Sequence, residues 1–190
     1  MAIQQRRERV RVERERLIID AARKMAEAEG WDAVTTRRLA EQIEYSQPVL
    51  YSHFKGKTAI MAAVAVEGFA ELAAELRAAR AAAADPRASL AGAAGAYVRF
   101  AETRPVLYEA MFTLAVDLSF ASPETPAALQ AGFAELREAV RPFVGDDDVD
   151  VHTEVFWAGL HGLMTLMRGG RLRPEGHRQR LALLLKSFSG

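Results

Sequence analysis

Apolar residues recur at helical spacing along almost the whole of this 190-residue chain. Leu17, Ile18, Ala21, Ala22 and Met25 form one amphipathic stripe, which Gly30 terminates, with Trp31 following as a packing plug. Two short segments come next. Thr35 can cap the first, whose Leu39, Ala40 and Ile43 share one face, and Glu44-Tyr45 is the turn. The second starts at about Gln47, with Ser46 placed to accept its orphan amides and Pro48 in its first turn, where a missing N–H does no harm. Leu50 and Phe54, four apart, are its inward anchors, and Gly56 breaks it. From Thr58 to about Ala84 the chain reads as one long alanine-rich helix carrying Ile60, Val64, Phe69, Leu72 and Leu76, ended by Asp85-Pro86. Further helices are expected over Arg87–Thr103, Pro105–Phe120, Thr125–Val144, Val149–Arg168 and Pro174–Phe188. The breaks are Arg104-Pro105, Ser122-Pro123, Gly145 with Asp146–Asp148, and Gly169-Gly170. No alternating strand pattern and no internal repeat is present, so the expected fold class is all-α.

Two short helices joined by a tight turn have the layout of a helix-turn-helix DNA reader. A two-turn helix is not stable alone and must be packed on its neighbours. With Leu50 and Phe54 turned inward, Gln47, Val49, Tyr51 and His53 remain on the outer faces as candidate DNA contacts.

The run Thr35, Arg37, Leu39-Ala40, Ser46, Leu50-Tyr51, His53-Phe54, Lys57 and Ile60, with its Tyr-x-His-Phe-x-x-Lys core, resembles the DNA-binding domain of TetR-family (tetracycline-repressor-like) transcriptional regulators. The likeness extends over residues from about 10 to 60. It implies an N-terminal three-helix helix-turn-helix domain, residues 1–57, and a helical ligand-binding and dimerisation domain, residues 58–190. By that resemblance the second short helix enters the major groove, with Gln47, Pro48 and Val49 nearest the base edges and Tyr51, His53 and Lys57 on phosphates. Thr35, Thr36, Arg37 and Ser46 complete the expected DNA-facing set. The sequence departs from the family pattern in the turn, where Glu44 stands in place of the usual Gly and Tyr45 in place of a small apolar residue. A left-handed backbone there costs a non-Gly residue roughly 1 kcal/mol.

In the rest of the chain, Arg104–Phe112 (RPVLYEAMF) and Trp157-x-x-x-His161-Gly162 resemble a TetR subgroup with a Trp-His-Gly motif in its C-terminal domain. The resemblance implies a small-molecule pocket among the middle helices and a dimer built on the last two. The residues allow both. The segment around Val155–Met167 has no fully polar face, and Leu181, Leu184, Leu185 and Phe188 form a stripe at 3–4–3 spacing that a monomer would expose. Leu160, Leu163 and Met167 are expected to join that stripe in a homodimer, which would set two readers about one DNA turn, roughly 34 Å, or a small multiple apart. The expected pocket residues are Phe100, Tyr108, Met111, Phe112, Phe133, Trp157 and His161, an apolar lining with one imidazole handle. An aromatic and Met stripe of this kind is also what ordinary helical core looks like.

Composition narrows the function further. About half of the residues are apolar, enough for a substantial core. With no cysteine, disulfide frameworks, thiolate zinc sites and a cysteine nucleophile are excluded. No apolar run reaches membrane-spanning length and the N-terminus has no apolar signal core, so a cytoplasmic protein is expected. Formal charge is zero, yet residues 1–60 carry 12 Lys and Arg against 9 Asp and Glu, leaving 13 against 16 for the remainder. Much of the surplus is Arg6, Arg7, Arg9 and Arg11, a basic arm that could follow phosphates or enter a minor groove, or else form a solvated helix extension with its own ion pairs, such as Glu13 and Glu15 near Arg9, Arg11 and Arg16.

Catalysis is not expected. Gly56-Lys57-Thr58 resembles the end of a phosphate-binding loop, but Tyr51 occupies its upstream glycine position. His152 and Glu154 point to different helical faces and His161 lies over two turns away, so no metal site or cofactor is read. The Asp146–Asp148 and Asp150 cluster lacks calcium-loop spacing. The chain therefore reads as a homodimeric, ligand-responsive transcriptional repressor that binds a palindromic double-stranded DNA operator and is released by a small apolar or aromatic effector. Its alternatives are a helical small-molecule carrier or sensor with a non-functional reader, and an architectural DNA binder without ligand.

Overall fold

A computed structural model describes residues 1–114, 118–119, 122–145 and 148–189. Among these, nine α-helices account for the regular structure: α1 (Ala2–Glu29), α2 (Thr36–Gln42), α3 (Gln47–His53), α4 (Lys57–Ala81), α5 (Pro86–Thr103), α6 (Pro105–Phe112), α7 (Ala127–Val140), α8 (Val149–Arg168) and α9 (His177–Ser189). The fold class is all-α, as the periodicity predicts. The chain divides into two compact units, Met1–Gly68 with Pro105–Glu124, and Phe69–Arg104 with Thr125–Gly190. Helix α4 starts in the first and ends in the second.

In the first unit, Ile18, Ala21, Ala22, Met25 and Ala26 of α1 are buried with Leu39 and Ala40 of α2, Leu50 of α3 and Ile60, Val64 and Ala65 of α4. Trp31 is buried in a short 3₁₀ turn after Gly30, and its indole N–H donates to the Val106 carbonyl of α6 at 2.9 Å. A buried indole needs such an acceptor, so the predicted plug also fixes α6 to the end of α1. Helices α4 and α6 meet at Gly68, where an added Cβ would lie 2.7 Å from the Met111 sulfur and 2.9 Å from Leu107 Cδ1.

In the second unit, the small residues of α5 let its neighbours approach closely. Ala93, Ala94, Ala96 and Ala101 are buried between Leu90, Tyr97 and Phe100. Leu129, Leu136 and Val140 of α7 and Phe156, Leu160 and Met164 of α8 supply the larger side chains. Phe188 of α9 meets Phe156 edge-on at 5.1 Å. The Glu135 carboxylate of α7, nearly buried, accepts from Arg77 Nε at 2.7 Å and Arg80 Nε at 3.0 Å, tying α7 to α4.

Several expectations need correction. The basic arm, whose conformation the sequence left open, is helical: α1 begins at Ala2, and Arg11 and Glu15 pair at 2.9 Å. Helix α6 stops at Phe112, well short of Phe120, because the amides of Thr113 and Leu114 both turn back to the Glu109 carbonyl. Residues 115–117 and 120 of that predicted helix lie outside the described residues. Ser46 occupies the N-cap of α3, yet its hydroxyl makes no cap bond; its carbonyl instead accepts from Val49 N and Leu50 N. Asp146 and Asp147 lie outside the described residues, whereas Asp148 caps α8 by accepting from the amides of Asp150 and Val151.

Candidate nucleic-acid interface

Helix α2 is set by Thr35, whose hydroxyl accepts from Arg38 N at 3.2 Å, and is held at its side by Arg38. The Arg38 guanidinium meets both oxygens of Glu29, at 2.7 and 3.0 Å, and also donates to the Ala33 carbonyl. This forked pair joins α2 to the end of α1 and holds the Glu29 carboxyl below its ordinary range.

The turn after α2 decides how α3 leaves it. Tyr45 N donates to the Ala40 carbonyl at 2.9 Å and Glu44 N to the Glu41 carbonyl at 3.3 Å. These are the two bonds of a Schellman ending, with Glu44 at the position that must be left-handed. Glu44 has φ 57°, the lone non-Gly residue with positive φ among the described residues. Helix α8 ends the same way, with Arg171 N on Leu166 O and Gly170 N on Met167 O, and there glycine occupies the left-handed position at φ 65°. The reader therefore keeps the geometry that glycine would favour while carrying an acidic side chain in it.

Leu50 is 1% exposed and pins α3 to the core. Phe54, its predicted companion, is half-buried. Gln47, Pro48 and Tyr51 are exposed and Val49 half-buried, so the residues expected nearest the bases share an accessible helix. Thr36 and Tyr51 lie 3.4 Å apart through their hydroxyls, which brings the start of α2 to the face of α3. Thr35, Arg37 and Ser46 are exposed at the same end, with Arg37 paired to Glu41 at 2.9 Å.

Two expected phosphate ligands are engaged inside the unit. Lys57, first residue of α4, donates to the Trp31 carbonyl at 2.6 Å, which spends one of its three N–H bonds. The His53 ring lies 3.4 Å from Glu15, its side chain only 7% exposed. Arg11 holds the Glu15 carboxyl below its ordinary range, with His53 adding to the same effect.

In the second unit Trp157 and His161, four apart on α8, converge on Tyr97 of α5. The Trp157 indole N–H donates to the Tyr97 hydroxyl at 3.3 Å, and that hydroxyl lies 3.5 Å from His161 Nδ1. Thr165 lies 3.3 Å from His161 Nε2. Burial pushes the His161 imidazole below its ordinary value and so favours the neutral ring. Phe100 is fully buried and Phe133 half-buried in this unit. Tyr108, Met111 and Phe112 belong to the first unit, where the Tyr108 and Phe112 rings meet at a tilt of 51° with centroids 4.7 Å apart. Sequence reasoning overlooked Tyr97 and Thr165; the signal for Tyr97 was a polar-tipped ring on an otherwise small and apolar helix face, which requires a partner when buried.

Of the residues expected at a dimer contact, Leu160 is in the core of its own chain. Leu163, Met167, Leu181, Leu184, Leu185 and Phe188 are half-buried. Val151, Val155 and Leu166 on α8 and Leu183 on α9 are the exposed large apolar residues of these helices, and lie outside the expected dimer set. Among the described residues, no helix is long and apolar enough to cross a membrane, and no group of three His, Asp or Glu could hold a metal ion.

Comparison with known proteins agrees with this geometry. Residues 18–64 match the model for bacterial regulatory proteins of the tetR family, and residues 90–187, more than half of the chain, match that for the tetracyclin repressor-like C-terminal domain. The chain belongs to the TetR family. It is 46% identical over 50 residues to the tetracycline repressor protein class D of Escherichia coli, covering 26% of this chain and 23% of that repressor. The chain thus spans about a quarter of the length of the tetracycline repressors it matches. An uncharacterised HTH-type transcriptional regulator of Mycobacterium tuberculosis is 28% identical over 80% of this chain and 69% of its own length. Among solved structures, a protein of unknown function from Rhodococcus sp. RHA1 superposes with a TM-score of 0.72 at 27% identity, covering 93% of this chain and 95% of that one. The family is one of transcription regulators, not of enzymes.

Proposed function

We propose that this TetR-family chain is a ligand-responsive repressor that binds a palindromic DNA operator as a homodimer and leaves it when a small apolar or aromatic effector binds. The observation that carries the reading is the α2–turn–α3 geometry. A Schellman ending with Glu44 in the left-handed region delivers α3 with Leu50 buried and Gln47, Pro48 and Tyr51 exposed. That speaks against a carrier with a ruined reader, since the substitution in the turn leaves its backbone intact.

Gln47, Pro48 and Val49 face the bases; Thr35, Thr36, Arg37, Ser46, Tyr51 and the free N–H bonds of Lys57 hold phosphates. The exposed and half-buried apolar side chains of α8 and α9, Leu163, Met167, Leu181, Leu184, Leu185 and Phe188 among them, pair with a second copy. The effector lies against Trp157, Phe100 and Phe133, with the neutral His161 as its polar handle. Such an effector acts only through its different affinity for the two states, typically 1–3 kcal/mol, or about 5–150-fold. Continuous helix α4 is the element that would carry the change to the reader. The protein acts in the cytoplasm, where DNA is available.

The test is binding of a selected duplex by variants. Gln47→Ala should lower affinity for the preferred sequence about 5–150-fold, the value of one good base contact, while affinity for random DNA stays within about twofold. Lys57→Ala should weaken both and reduce the salt slope by about 1. Wild-type binding by both variants would overturn the assignment.

A further inference from the structure

Helix α1 outruns the core it belongs to. Its first fully buried residue is Ile18, so the helix from Ala2 onward projects roughly 24 Å at 1.5 Å per residue before it meets the core. The projecting part is not polar all round. Ile3, Arg7, Val10 and Arg14 recur at 4–3–4 spacing and continue the stripe that becomes Ile18, Ala22 and Met25. The buried face of α1 thus extends N-terminally as an arginine-bearing face with nothing of its own chain packed over most of it. That face borders an open groove lined by Arg6, Arg7, Arg11 and Arg14 together with Ser52 and His53 at the end of α3. Residues 1–16 carry six arginines against three glutamates. Among the described residues Arg11 is paired with Glu15, whereas Arg6, Arg7 and Arg14 form no ion pair.

We propose that this arginine face of α1 lies along backbone phosphates of the operator outside the bases read by α3. The inference rests on the DNA-binding reading and extends it. A helix 10–12 Å across cannot enter a minor groove about 6 Å wide, so the helical state of the segment rules out a threaded arm. What a rigid row of cations can do is follow a strand. Arg6 to Arg14 rises about 12 Å, the span of three to four phosphates at 3.4 Å of axis each. The groove reaches Ser52 and His53 at the end of the proposed reading helix, which places an acidic partner of another kind second to the duplex proposed for that helix.

The experiment uses the full chain and its selected operator in two lengths, the palindrome alone and the palindrome with about ten flanking base pairs on each side. Binding is measured from 50 to 200 mM salt for the wild type, for the triple Arg6→Gln, Arg7→Gln, Arg14→Gln variant, and for the same three positions changed to Lys. Helix content by circular dichroism checks that α1 persists. The wild type should bind the longer duplex more tightly and with a steeper salt slope. The Gln variant should lose that gain, each lost contact removing about 0.9 from the slope, or about a 3.5-fold change over this salt range. The Lys variant should keep it. Equal slopes for wild type and Gln variant on the long duplex, with selective binding intact, would overturn the proposal alone. Failure of the wild type to select any sequence would overturn the DNA-binding reading beneath it.

Discussion

Replacing Glu44 by glycine should stabilise the protein. Glu44 occupies the left-handed region at φ 57°, held there by the Tyr45 to Ala40 and Glu44 to Glu41 amide bonds that end α2. For an L-residue with a Cβ this backbone costs roughly 1–2 kcal/mol. Glycine removes that cost but gives the unfolded chain about 0.4–1 kcal/mol more conformational entropy to lose. The difference is a net gain of about 0.5–1 kcal/mol, which in a chain of this length raises Tm by about 1–4 °C. Glu44→Ala is the control, since it deletes the same exposed carboxylate and keeps the strain; its stability should stay within about 0.5 kcal/mol of wild type. The assay is urea unfolding followed by circular dichroism, with the m value required to match among the three proteins. Both variants should bind DNA somewhat more tightly, because each removes a negative charge beside the reader. Equal stability of the Gly and Ala variants would refute the argument, since it would mean that the strain in the turn is no larger than the roughly 0.4–1 kcal/mol of chain entropy that glycine adds to the unfolded state.

The mirror substitution, Gly170→Ala at the same position of the α8 ending, should cost about 1 kcal/mol in the same assay, because the open space around it leaves strain as the main effect. Gly68→Leu should destabilise by about 1–3 kcal/mol, as even a Cβ there would lie 2.7 Å from the Met111 sulfur; an unchanged urea midpoint would show that α4 and α6 do not pack this closely. Glu135→Ala strips the shared acceptor from Arg77 and Arg80 and should cost about 1–3 kcal/mol, measured by the same midpoint. His161 titrates below 6.5 in the folded chain because burial disfavours its charge. The unfolded chain then binds the proton more readily, so the contribution to stability is complete above about pH 6.5 and is lost as pH falls through that value towards the folded pKa. A Tm profile between pH 7.5 and 5 should decline for the wild type and decline less for His161→Gln; parallel profiles would contradict the assignment.

How far the sequence could be read depended on whether an element announces its ends. Helix α8 was bounded by an aspartate cluster and a Gly-Gly pair, and Val149–Arg168 emerges from the pattern with the limits it has in the structure. Between Phe112 and Ser122 the chain has neither Gly nor Pro, only more apolar residues at helical spacing, so the early stop of α6 was invisible. The helical state of the arginine run was left open for the opposite reason: its first turns lack the buried apolar stripe that would have chosen between a DNA-following arm and a helix extension. At the reader, exposure of Gln47 and Tyr51 followed from Leu50 being the inward anchor. The engagement of His53 by Glu15, 38 residues away, and of Lys57 by the Trp31 carbonyl depends on tertiary proximity that no local pattern records. Tyr97 is a similar case: its partners Trp157 and His161 lie about 60 residues on, and no local pattern links a buried hydroxyl to the groups that satisfy it.

The central claim is that the α2–turn–α3 unit reads DNA sequence. The most direct test is selection of bound duplexes from a random pool by the purified full chain at two salt concentrations. The account predicts recovery of one two-fold sequence, with retention falling steeply at the higher salt. Salt-sensitive retention without any shared sequence would contradict it in favour of architectural binding, and no retention at either salt would remove DNA from the account altogether.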